Sequence, residues 1–185
     1  AINILDDEED IVQETFLFGS TSSIYVSLGN IYAAVPKYGE NGMEKTEIHR
    51  IQVEDGKIIY RASGEVPGRV LNQFSMDEYN GYFRIATTTG EVWATGEAAS
   101  ENHVYILDSD LEIAGKLENL ARGEKIYSAR FMGDRAYLVT FKKVDPFFVL
   151  DLSDPTFPKV LGQLKITGYS DYLHPYDENH VIGIG

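Results

Sequence analysis

Short apolar runs recur along the chain, most with the two-residue alternation of a half-buried strand, and turn signals end them. Residues 24–26 and 31–35 flank Leu28-Gly29-Asn30. Residues 47–53 and 57–63 flank Glu54-Asp55-Gly56, where Asp-Gly supplies the positive φ that a tight hairpin needs. Further pairs are Phe74 with 82–88 around 77–81, 103–107 with 112–117 around Asp108-Ser109-Asp110, and 127–131 with 136–141 around Gly133-Asp134. The last, 147–152 with 159–166, surrounds Ser153-Asp154-Pro155, where aspartate and proline shape the turn. Helical periodicity is nearly missing. Residues 115–124 (GKLENLARGE) have room for one short helical turn, and the acidic stretch 6–15 reads as a solvated loop. Two polar, glycine-containing loops, 37–45 and 90–102, join hairpin to hairpin.

The hairpins fall into a repeat marked by one glycine. FLFG ends at Gly19, RASG at Gly64, EIAG at Gly115 and KVLG at Gly162, a recurrence about every 45–50 residues. An apolar run, an acidic turn and a second run precede each glycine, and another hairpin follows it. That is the period of a four-stranded propeller blade, with strands A to D running from axis to rim. The hairpin after the glycine supplies A and B, and the hairpin ending at it supplies C and D. The expected fold is an all-β propeller segment: a half blade at 1–19, blades at about 20–67, 68–120 and 121–167, and a half blade at 168–185. A lone sheet would expose an apolar face, so the blades must stack. The regular four-strand recurrence argues against a β-sandwich.

Composition supports the strands and narrows the function. Twelve tyrosines and nine phenylalanines, with frequent Val, Ile and Thr, suit a pleated surface. A net charge of −13 repels phosphate backbones, so nucleic acid is not an expected partner. With no cysteine, the chain forms no disulfide, thiolate metal site or cysteine nucleophile. No run reaches the roughly 18 apolar residues of a membrane span. The chain starts at Ala1 and stops within HVIGIG, which suggests a segment of a longer protein. Its two ends are complementary, so a composite blade, HVIGIG beside AINIL, is expected; it closes either a four-bladed ring within one chain or, the favoured assembly, an eight-bladed ring in a homodimer.

At this point the residues resemble a known family. GEVPGRVLNQFSMDEYNGYFRIATTTG, NILDDEEDIVQETFLFGST and the long run from Lys125 to Gly185 are similar to archaeal and bacterial proteins that are secreted or membrane-anchored. Those proteins carry a C-terminal β-propeller distantly related to WD40 repeats. The resemblance implies a propeller in an extracellular or cell-surface location, often in methanogens. It implies no catalytic residue or ligand.

Candidate chemistry is sparse. In a propeller the A strands line the central channel. Counting back from Tyr25, Phe74, Phe131 and Leu173 nominates Asn72, Gln73, Arg130 and Asp171 as polar residues of the channel wall, with Arg130 and Asp171 able to pair. The aspartates of the C–D turns, Asp108, Asp110, Asp151 and Asp154, are weak Ca²⁺ candidates, because one turn supplies too few of the six to eight oxygens Ca²⁺ takes. No histidine pair has the spacing of a zinc helix, although His174 and His180 flank one hairpin turn with Asp177. Trp93 lies in the long loop, and loop aromatics commonly anchor partners, although a packed, folded-back loop is the plainer expectation. The expected function is a non-enzymatic extracellular binding or scaffolding module for a protein or glycan. Two alternatives stay open: a hydrolase or lyase at the channel mouth using Arg130, Asp171 and His174, and a calcium-stabilised surface protein.

Overall fold

The computed structural model describes residues 12–18, 23–39, 42–141, 145–166, 170–177 and 179–185. Among them every helical element is a three-residue 3-10 turn, Gln73–Ser75 or Gly96–Ala98. The remaining regular structure is antiparallel sheet. Sheet one runs in chain order through β1 (Ser23–Val26), β2 (Asn30–Tyr38), β3 (Glu44–Glu54) and β4 (Lys57–Pro67). Sheet two has β5 (Arg69–Val70) and β6 (Met76–Tyr79) end to end along one edge of β7 (Tyr82–Thr89), followed by β8 (Glu101–Leu107) and β9 (Ile113–Leu120). Sheet three is β10 (Lys125–Met132), β11 (Arg135–Phe141), β12 (Asp145–Asp151) and β13 (Lys159–Ile166). Sheet four pairs β14 (Tyr172–Asp177) with β15 (His180–Ile184).

The sheets stack through their faces, as the alternation requires. On β7 and β8, Phe83, Ile85, Tyr105 and Leu107 pack toward Tyr32, Ala34 and Ile48 of sheet one. The alternate residues Ala86, Val104 and Ile106 pack against Ala129, Ala136, Leu138 and Leu150 of sheet three. Sheet two is therefore buried on both faces. The outer face of sheet one is covered in part by residues 12–18: the Phe18 ring stacks on His49 at 4.0 Å between centroids. Tight turns follow the local chemistry. Asp55-Gly56 and Asn80-Gly81 both have two successive positive φ angles, 49° and 72°, and 51° and 80°.

The marker glycines have a steric reason. A β-carbon on Gly64 of β4 would stand 2.3 Å from the backbone oxygen of Leu111, in the turn between β8 and β9. One on Gly115 of β9 would stand 2.1 Å from the oxygen of Pro155, in the turn between β12 and β13. Each outer strand thus lets the next sheet's outer turn rest on its bare backbone. Gly162 of β13 meets nothing within 4 Å; sheet four contributes only its two inner strands among the described residues. Gly19 lies outside the described residues.

The structure corrects several local expectations. Residues 113–120 continue a strand paired with β8, in place of the short helical turn at 115–124, because cross-strand partners outweigh local propensity. The turn expected over 77–81 narrows to Asn80-Gly81, so Asp77 and Glu78 are strand residues. The inner strand of sheet two is broken into β5 and β6, and Phe74 sits in the 3-10 turn between them. The AINIL segment of the expected composite blade lies outside the described residues. The HVIGIG segment forms β15, paired with β14.

Candidate functional site

The inner strands of three successive sheets converge on one cleft of about 390 Å³. Ile24, Tyr25 and Val26 come from β1, Gln73 and Phe74 from the 3-10 turn, Met76 and Asp77 from β6, and Arg130 and Phe131 from β10. Hairpin register explains this company. Tyr25 is opposite Tyr32, Asp77 opposite Arg84, and Arg130 opposite Tyr137. These three inner residues are equivalent, and His174, opposite Ile182, is their counterpart in sheet four.

Tyr25 and Arg130 reach the next sheet directly, and Asp77 does so through Arg84. The Tyr25 hydroxyl donates to Asp77 Oδ1 at 3.3 Å, and burial pushes its phenol above the ordinary range, so it stays a donor. Asp77 Oδ2 accepts from Arg84 Nε at 3.0 Å and also from Arg84 Nη2. Arg84 is almost fully buried. It donates from Nη1 to the Gly133 oxygen at 2.5 Å and lies 4.8 Å and 5.2 Å from the Tyr79 and Phe131 ring centres. Arg130 closes the series: Nε donates to the Leu173 oxygen at 2.9 Å. Its guanidinium carbon stands 4.3 Å over Phe74 and 5.2 Å from the Tyr172 ring centre, and those two rings meet edge to face at 5.3 Å. Stacking on two rings and one carbonyl fixes the guanidinium plane.

Among the sequence candidates, Gln73 and Arg130 line the cleft. Asn72 serves the backbone: its Oδ1 accepts from Phe74 N at 2.9 Å and caps the 3-10 turn. Asp171 is exposed, and its backbone N–H donates to the Ile184 oxygen at 2.9 Å. No carboxylate among the described residues, Asp171 included, makes an ion pair with Arg130. Sequence reasoning missed Asp77, Phe74 and Tyr172. It aligned Phe74 with Phe131, whereas register matches Phe131, opposite Ala136, to Glu78, opposite Phe83. The Asn80-Gly81 turn signal, counted back from, would have found Asp77.

The other candidates have local partners. Asp108 Oδ1 accepts from the N–H groups of Asp110 and Glu112 at 2.9 and 3.0 Å. Asp151 accepts from Ser153 and faces Lys159 at 3.4 Å, which holds its carboxyl down at about 2. Asp154 accepts from the N–H and hydroxyl of Thr156. Among the described residues no three His, Asp or Glu side chains cluster closely enough to share a metal ion. His174 and His180 keep separate partners, the Tyr172 hydroxyl at 3.2 Å and Asp177 Oδ1 at 2.7 Å. His103 is buried, with Nε2 2.9 Å from the Thr89 hydroxyl and Nδ1 accepting from Asn119 N at 3.3 Å. Trp93 is 82 % exposed, contrary to the packed loop expected of it. Hydrogen bonds between Glu91 and Ala98 and between Ser100 and Glu91 close that loop on itself and leave the indole outside.

Comparison with known proteins agrees with this architecture. The family described as "Beta propeller domain" matches residues 1–185. An uncharacterized protein of Methanocaldococcus jannaschii is 54 % identical over 142 residues, covering 77 % of this chain and 22 % of the relative. An uncharacterized protein of Archaeoglobus fulgidus is 48 % identical over 143 residues, covering 77 % of this chain and 21 % of the relative. The chain thus spans about a fifth of the length of these curated relatives.

Proposed function

This chain belongs to the beta propeller domain family, and from that premise we propose that it is a non-catalytic, extracytoplasmic binding module whose ligand enters the cleft between the inner strands. The observation that carries the reading is Arg130. A guanidinium held by a carbonyl and two rings keeps its terminal N–H groups unspent among the described residues, on an open cleft. Such a group is preorganised to receive a partner. The cleft's one carboxylate supports binding over catalysis: Asp77 is occupied by Arg84 and Tyr25. The extracytoplasmic location is supported by the resemblance to secreted and membrane-anchored proteins with WD40-related propellers. No helix among the described residues is long and apolar enough to cross a membrane.

Panning the chain against peptide and glycan libraries beside Arg130→Ala and Tyr172→Ala tests the binding claim. Ligands lost in both variants are the expected result; ligands retained equally by all three proteins would overturn it. Turnover of a bound ligand that disappears in Arg130→Ala would replace binding by catalysis. A membrane-impermeant amine label applied to intact source cells is expected to reach the protein, and labelling only after lysis would refute the location.

A further inference from the structure

We propose that the cleft is a carboxylate receptor in which Arg130 grips the anion; this deepens the binding-module reading and rests on it. Electrostatics select the sign of the ligand. Asp77 and Arg130 are the charged residues lining the cleft. Arg84 neutralises Asp77 from behind through two nitrogens, and the Tyr25 hydroxyl takes its other oxygen. Arg130 is left as the uncompensated charge, so a chain with a net charge of −13 holds a cationic spot at the convergence of its inner strands. Arg130, like Arg50, Arg61 and Arg135, meets no carboxylate among the described residues, and of these four it is the one that lines the cleft.

Geometry selects the class of anion. Nε is committed to the Leu173 oxygen and the guanidinium face to Phe74, so the edge bearing the two terminal nitrogens is the part left for a ligand. Two parallel N–H donors match the two oxygens of one carboxylate. A single fork inside an acidic molecule favours one negative charge over a doubly charged phosphate, which the surrounding field repels more strongly. The cleft's roughly 390 Å³ lies in the range of small-ligand sites, and Ile24 and Phe131 give it an apolar wall. A carboxylate with a compact apolar body fits this description, either as a free organic acid or as a peptide C-terminus.

The test is an NMR titration of the ¹⁵N-labelled chain, following Arg130 Nε–Hε and the backbone amides of Gln73–Ser75. The probes are phenylacetate, the tripeptide Ala-Ala-Phe, its C-terminal amide and inorganic phosphate. Saturable shifts at these positions with phenylacetate or the free-acid peptide, and none with the amide, are the expected result. Phenylacetate alone identifies a free acid, and the peptide alone a C-terminus. Arg130→Gln, its spectral dispersion retained, is expected to weaken binding by about tenfold or more. If that variant fails to fold, Gln73→Ala and comparison of acid with amide peptide on the unsubstituted chain carry the test. Equal binding of acid and amide peptides, or tighter binding of phosphate, would overturn the carboxylate assignment while leaving a binding cleft. Silence of these resonances toward all four probes would overturn the carboxylate receptor; a library ligand lost in Arg130→Ala would still uphold the binding module.

Discussion

Alanine at the marker glycines separates the stacked-sheet account from any fold in which those residues merely end a strand. At Gly115 a β-carbon would lie 2.1 Å from the Pro155 oxygen, against an ordinary contact of 3.4 Å or more. The obstacle is backbone, so either sheet three shifts by more than an ångström at that edge or the β9 strand buckles. Overpacking of this kind costs about 1–3 kcal/mol, and replacing a strand glycine returns roughly 0.5–1 kcal/mol of backbone entropy. A backbone obstacle this close puts the overpacking at the upper end, about 2–3 kcal/mol, so the expected net loss is about 1–2.5 kcal/mol, or roughly 2–10 °C in Tm for a chain of this size. Gly64→Ala, 2.3 Å from the Leu111 oxygen, is expected to behave alike. Gly162→Ala, with nothing within 4 Å, keeps only the entropic gain and is expected to melt at or slightly above the parent. Thermal and urea melts followed by circular dichroism provide the comparison. Equal shifts for all three variants, or a Gly115→Ala chain as stable as the parent, would refute the reasoning.

Three further outcomes follow from individual side chains. Arg84→Met is expected to destabilise the chain by about 3–5 kcal/mol, because it leaves Asp77 without its cation; adding Asp77→Asn should recover part of the loss in urea melts, and strict additivity would contradict the pair. Burial lowers the pKa of His103 below its ordinary 6.5, so the unfolded chain binds more protons there and stability is lost as pH falls below about 6.5 toward the depressed folded value. The Tm-versus-pH slope in that window should flatten in His103→Asn, and an unchanged slope would rule the residue out. Trp93, the sole tryptophan, should show fully solvated emission and free access to acrylamide in the native state; a blue-shifted, protected indole would refute the exposed loop.

What was legible in the sequence was whatever repeats for a steric reason. Gly64 and Gly115 hold their places because their outer strands admit the following sheet's turn, and the Asp55-Gly56 hairpin follows from backbone geometry alone. The inner strands were harder to read. The pattern around Phe74 looks like a strand, and only pairing with β7 shows that the strand proper begins at Met76. That displacement moved Asp77 out of the candidate wall and put Asn72 into it. Arg130 was found because β10 runs unbroken from Lys125 to Met132. Its aromatic supports come from two other sheets, Phe74 and Tyr172, a juxtaposition with no signal in local sequence.

The central claim, sheets stacked in chain order around converging inner strands, is tested most directly by inter-sheet nuclear Overhauser effects in the 20.7 kDa chain. The expected cross-peaks join the Gly64 α-protons to Leu111, the Gly115 α-protons to Pro155, and the Arg130 side chain to both Phe74 and Tyr172. Cross-peaks between the core residues of sheets one and three, in place of these, would describe two packed layers and contradict the account.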